Sequence, residues 1–247
     1  MVLTALRGAL GFLTTVPVGM NADSWESFRA APVTAVLVGY PVGVLSAIPL
    51  VVLPPGPVAG AAFVIGGYLV TGINHADGLT DVADALAVHG ERSDRIAAME
   101  DSAVGVGGTL ALGLVLLGLF AAGRSLTGAG WAALGVVVAA EVGAKLGVLI
   151  VLARGTPRAS GLGASVAAGV TRRSLPVGIG LSVPAVSLAL PSAAGGVALL
   201  SAALVGVGAV PITRSRFGGT NGDVLGATNE LARLVGLSAG VTAWTLW

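Results

Sequence analysis

The chain has 247 residues, of which 55% are hydrophobic and only 10% charged, against about a quarter charged in a soluble domain, so a soluble globular fold is excluded and an integral membrane protein is expected. A net charge of +1 gives no basis for nucleic-acid binding, and the lack of any cysteine removes disulfides, thiolate metal sites and cysteine nucleophiles. The apolar runs are continuous rather than alternating, which selects an all-α bundle over a β-barrel, and 39 glycines with 4% aromatics describe thin helices that can approach closely.

In chain order, Leu3 to Val18 is a short apolar piece holding Arg7 and Pro17, open between a re-entrant or interfacial helix and a full span, which needs about 20 apolar residues. Arg7 also argues against a cleaved signal peptide. Ala31 to Leu53 is a span with kinking prolines at 32, 41 and 49, and Pro54-Pro55-Gly56-Pro57 is its exit turn. Val58 to Ile73 returns, and its helix is expected to continue into the polar residues Asn74 to Leu86. Ala103 to Ala122, Trp131 to Leu152, Leu175 to Leu190, Ala193 to Ile212 and Leu231 to Trp247 complete a polytopic bundle of about six or seven spans, read as a single integral membrane domain over 1–247.

Alternate threading puts three polar segments, 74–102, 153–173 and 213–230, on one face. That face also receives Arg29, Arg92, Arg95, Arg154, Arg158, Arg172, Arg173, Arg214 and Arg216, whereas the opposite loops carry only Arg124. The positive-inside rule makes it cytoplasmic, in a cell membrane. Oligomeric state stays open, a homo-oligomer included.

Asn74 to Ser102 holds Asp77, Asp81, Asp84, Glu91, Asp94, Glu100 and Asp101, seven of the twelve acidic residues. On a helix, Asp77, Asp81 and Asp84 fall at i, i+4 and i+7 and share one face, a stripe of hard oxygen ligands of the kind Mg²⁺ takes together with phosphate oxygens. The alternative is a solvated juxtamembrane helix whose acids face water. Gly78 leaves room for close approach, and Asp101, at the mouth of the next span, is a further ligand candidate. His75 is open between a general base and an interfacial histidine satisfied by backbone. Glu91 and Arg95 are spaced as a surface pair, and Arg92 is read as a surface residue beside them. Glu141 and Lys145 lie four apart inside an apolar span, spaced to neutralise each other, but charge is costly enough there that function is the default reading, with Lys145 as a phosphate partner. The third segment, Thr213 to Glu230, is read as a Gly-rich polar loop, in which Gly218, Gly219, Gly222 and Gly226 allow backbone amides to converge on an anion; Arg214 and Arg216 add charge and Asp223 a carboxylate. Arg154 and Arg158 come from the middle segment. Together these residues describe metal-assisted phosphoryl transfer at a membrane surface.

Four stretches carry a resemblance: GFLTTVPVG at 11–19, HADGLTDVADAL at 75–86, ERSDRIAAMEDSAVGVGG at 91–108 and RSRFGGTNGDVLGATNE at 214–230. The chain resembles the cobalamin synthase (adenosylcobinamide-GDP ribazoletransferase) family from end to end. Thr80 and Val82 replace commoner small residues and Ala85 a frequent glycine. The resemblance implies that a hydroxyl of α-ribazole, or of its phosphate, attacks the phosphate on the cobinamide side of adenosylcobinamide-GDP, that GMP leaves, and that Mg²⁺ is required. On that reading Asp77, Asp81, Asp84 and His75 are catalytic, and Asp77, Asp81, Asp84 and Asp101 hold the metal. Arg214, Arg216, Gly218, Gly219, Asp223, Asn229, Lys145 and Arg154 bind substrate. A CDP-alcohol-type phosphotransferase and a cation-coupled transporter are the alternatives; the second predicts acids distributed through the bundle rather than gathered at one face.

Overall fold

The computed structural model describes residues 2–158 and 161–246; Trp247, at the end of the expected last span, and Ala159 and Ser160 of the middle polar segment lie outside them. Among the described residues the chain folds into α1 (Val2–Leu13), α2 (Ala22–Ala30), α3 (Ala35–Val52), α4 (Pro57–Thr71), α5 (Asn74–Ala87), α6 (Arg92–Met99), α7 (Val106–Leu126), α8 (Trp131–Arg154), α9 (Leu162–Ala167), α10 (Ser174–Ser187), α11 (Ala194–Phe217) and α12 (Gly222–Thr245). The all-α polytopic class read from the apolar runs is the class observed.

Among the described residues, four helices are long and apolar enough to cross a membrane: α3 with the turn before it (Pro32–Val52), α7, α8 and α11; the bent pair α4 and α5 makes a fifth if counted as one span. The expected six or seven also counted α10, which is a shorter apolar helix, and α12, whose first half carries Asp223, Asn229, Glu230 and Arg233. With 12 residues, α1 is also a shorter apolar helix, below the length a span needs.

The bundle is organised around α8, whose most apolar stretch is 83% buried between α3 on one side and α11 and α12 on the other. Close approach comes from glycine. A Cβ on Gly39 or Gly43 of α3 would stand 2.6 Å from the Cα of Val142 or Val138, and one on Gly206 of α11 would stand 2.2 Å from the Gly147 carbonyl oxygen. In an apolar medium such packing, rather than water exclusion, holds helices together. On the outside, α7 leaves Leu110, Leu114 and Leu117 60%, 66% and 66% exposed, a row suited to lipid and unsuited to water.

Contrary to expectation, the helix ending at residue 73 does not continue into the polar segment; it breaks, and α5 leaves α4 at 98°. Gly72, at φ +70, supplies a left-handed conformation that residues with side chains seldom adopt. The carbonyls freed at the end of α4 are met by Thr15, whose N–H donates to Val70 O at 2.8 Å and whose hydroxyl donates to Leu69 O. Thr15 belongs to an extended strap after α1, which Arg7 ties down by donating to the Val18 and Gly19 carbonyls. The first sequence motif is thus the brace that turns α5 across the end of the bundle.

The third polar segment is also corrected. It is two helices joined by residues 218–221, not one long loop. Thr220 pairs with the middle segment through Thr220 N to Thr156 O (2.8 Å) and Arg158 N to Thr220 O (2.9 Å), so these two segments lie side by side.

Candidate active site

α5 crosses the first turns of α12 at a contact that only glycine permits. A Cβ at Gly78 would lie 2.7 Å from Asp223 Cα, and one at Gly226 would lie 3.1 Å from His75 Cα. Asp77 and Asp81 of α5 are thereby set beside Asp223, the second residue of α12. The start of α12 is fixed by Asn221, whose side-chain oxygen accepts from Val224 N at 3.0 Å and whose amide donates to Asp223 Oδ2 at 2.7 Å. Partial burial, reinforced by Asp77, Asp223 and Asp84, pushes the Asp81 carboxyl up to about 6. Burial likewise raises Asp223; the Asn221 hydrogen bond opposes this, Asp77 adds to it, and Arg158 lowers it again. Among the described residues, none of Asp77, Asp81 and Asp223 is in a salt bridge.

The other expected ligands are engaged elsewhere. Asp84 accepts from Gly105 N at 2.7 Å and Gly108 N at 2.9 Å, one oxygen each, and so caps the N-terminus of α7. Asp101 is exposed and accepts from Ala103 N at 3.0 Å; it is not among the charges that act on Asp81. No group of three His, Cys, Asp or Glu side chains converges as a metal cage among the described residues. The residues nevertheless suit Mg²⁺ in the way that ion is usually held, by one or two carboxylates with substrate phosphate and water completing the shell.

Beneath the cluster is a cavity of about 280 Å³, lined on its polar side by Asn74, His75, Asp77, Lys145, Asp223 and Asn229. Lys145 does not pair with Glu141 as their spacing suggested. Its Nζ donates to Asn229 Oδ1 at 2.6 Å, and Asn229 in turn donates to Glu230 Oε1 at 3.2 Å. Glu141 instead meets Arg233 Nε at 2.5 Å; Arg233 also reaches Glu230 Oε2 at 3.3 Å, and Tyr68 donates to that same oxygen at 2.9 Å. The Arg233 guanidinium lies 5.8 Å from the Tyr68 ring centroid. Two acids and two bases thus close a buried network. Its arginine was passed over in the sequence, although Glu230 and Arg233 at i, i+3 in an apolar run were a readable signal.

Arg214 and Arg216 are exposed in the last turns of α11, and Arg154 is exposed at the end of α8; none of them lines the cavity. Gly218 ends α11 with φ +75, and Arg92, expected as a plain surface residue, lies against it and donates to Ser215 O at 3.4 Å. Gly219 packs on Thr156 O. Arg158 pairs with Glu100 at 2.9 Å and acts on Asp223. The expected substrate residues therefore fall into two groups: Lys145, Asn229 and Asp223 on the cavity, and the arginines with Gly218 and Gly219 on the open polar face.

Fold and site together define a polytopic helical membrane protein with a carboxylate cluster at one end of its bundle, above a small cavity. The sequence profile described as cobalamin-5-phosphate synthase matches residues 5–241, and the chain belongs to that family. It is 46% identical to an adenosylcobinamide-GDP ribazoletransferase of Halorubrum lacusprofundi over 99% of both chains. It is 38% identical to one of Haloquadratum walsbyi over the whole of both, and 34% identical to one of Thermococcus kodakarensis over 97% of this chain and 99% of that one. No solved structure matches the chain.

Proposed function

We propose that this protein joins adenosylcobinamide-GDP to α-ribazole, or to its 5′-phosphate, giving adenosylcobalamin or adenosylcobalamin 5′-phosphate and releasing GMP, in a Mg²⁺-dependent reaction. The observation that carries the reading is the grouping of Asp77, Asp81 and Asp223, without a salt bridge among the described residues, where Gly78 lets α5 and α12 touch. Family membership and the names of the full-length relatives support the same chemistry.

One or two of the carboxylates of Asp77, Asp81 and Asp223 would hold Mg²⁺, which would supply charge neutralisation for the leaving oxygens. Asp77 faces both the cluster and the cavity, and there takes the proton of the acceptor hydroxyl. The new bond joins that oxygen to the phosphorus carried by cobinamide; the bond broken is from this phosphorus to the bridging oxygen, which leaves with GMP. Arg214, Arg216, Arg158 and Arg154 on the open face orient the diphosphate by charge-assisted hydrogen bonds. Because these arginines lie with the polar segments, the site faces the cytoplasm of a cell membrane on this reading.

The test is direct. Purified protein in detergent, given adenosylcobinamide-GDP, α-ribazole and Mg²⁺, is expected to release GMP in step with formation of the cobalamin product. Exchange of CDP-alcohols with no GMP formed, or no turnover with any such pair, would overturn the assignment.

A further inference from the structure

The cavity beneath the aspartates has two unlike walls. Opposite the polar side chains, Phe12, Leu13, Phe28, Pro32 and Val166 present an apolar surface. Its aromatic part is held in place by mutual packing, with Phe12 and Phe28 ring centroids 5.8 Å apart and Trp25 within 5.0 Å and 5.9 Å of them. On the polar wall, hydrogen-bonding capacity is left unused. Lys145 is 2% exposed, and among the described residues its three-donor ammonium has one hydrogen-bond acceptor, Asn229. The enclosed Nδ1 atom of His75 has no partner among them. A buried ammonium and a buried imidazole nitrogen with open valences are costly unless a ligand completes them.

Size decides which ligand. At about 280 Å³ the space lies at the lower end of small-molecule sites, which run from about 300 to 1,000 Å³. A nucleoside is of that class; a corrin joined to guanosine diphosphate is several times too large.

Resting on the function proposed above, we infer that this cavity is the acceptor subsite: the aromatic base of the nucleoside lies against Phe12 and Phe28, and its ribose oxygens meet Lys145 Nζ and His75 Nδ1. The reactive hydroxyl then points to Asp77 and Asp223 at the cavity's edge, while the larger donor stays on the open arginine face. His75 is accordingly a substrate-binding group and not the general base. The arrangement separates the two substrates by side: acceptor within, donor above, carboxylates between them.

Two variants test this without depending on one fold-sensitive position. Leu162→Trp places bulk at the cavity rim from a side chain that is 59% exposed; Lys145→Met removes the ammonium while keeping the length. Each is expected to raise KM for α-ribazole by about tenfold or more, the scale of one lost buried contact, with KM for adenosylcobinamide-GDP within about twofold. The free base of ribazole should inhibit wild-type protein competitively against α-ribazole and not against the donor. Changes in donor KM with acceptor KM constant, or competition by the free base against the donor, would overturn the subsite. If wild-type protein shows no turnover, the proposed function itself is at fault; calorimetric binding of α-ribazole to wild-type and Leu162→Trp protein then still reads the cavity, and equal affinities would contradict it.

Discussion

Asp81→Asn is expected to lower turnover by about 100-fold or more and, in metal-free buffer near pH 7.5, to raise the melting temperature. The first effect follows because an amide is a poorer ligand for a hard cation, and the charge stabilisation at stake amounts to several kcal/mol, each ~1.4 kcal/mol being tenfold in rate. The second follows from sign. The carboxyl is pushed from 3.8 up to about 6, so the folded state binds its proton more tightly than the unfolded chain does, and the charged form opposes folding. That penalty is present in full above about pH 6 and fades as pH falls from there toward 4. A neutral side chain of the same shape removes it, so the Asn protein should also lose this part of the pH dependence of stability. Thermal unfolding of both proteins in EDTA at several pH values checks the point; a variant that is less stable than wild type at pH 7.5 would show that the aspartate is compensated within the protein.

The second large effect lies in the bundle. Arg233→Met is expected to destabilise the protein by about 3–5 kcal/mol, because it leaves Glu141 and Glu230 buried without their cation. The loss belongs to the imbalance and not to the missing arginine alone, since two acids then face only Lys145. Adding Glu141→Gln to Arg233→Met leaves one acid and one base and should therefore restore much of it, giving a strongly non-additive series. Unfolding of the single and double variants in the same lipid measures this; a double variant as unstable as the sum of its parts would contradict the network.

Much of this protein was legible in its sequence because lipid simplifies the reading: long apolar runs must be helices, since nothing else satisfies the backbone there. What escaped were features made by distant partners. The break at Gly72 is held by Thr15, far away in sequence, and a local pattern read through it as one helix. Asp84 sits at i+7 from Asp77 and so looked like a third ligand, but Gly105 and Gly108 take it as a helix cap. Asp223 was read as a carboxylate of the site from its Gly-rich setting, and the fold sets it against Gly78 of α5; the helix that carries it was mistaken for loop because Gly222, Asp223, Asn229 and Glu230 are poor markers of an apolar span. The pairing of Glu141 with Arg233 rather than Lys145 required knowing which face of α8 meets α12. The arginines were read as one group, yet sequence could not separate those on the open face from Lys145 inside the cavity.

On the proposed function, the carboxylates of Asp77, Asp81 and Asp223 provide half of a site for a divalent cation, and the donor diphosphate provides the other half. Mn²⁺ in place of Mg²⁺ makes this visible by electron paramagnetic resonance. Binding should be weak in protein alone, tighten by about tenfold or more when adenosylcobinamide-GDP is added, and lose that tightening in Asp81→Asn. Equal Mn²⁺ affinity with and without the donor, or an unaltered spectrum in the Asp81→Asn protein, would contradict the account.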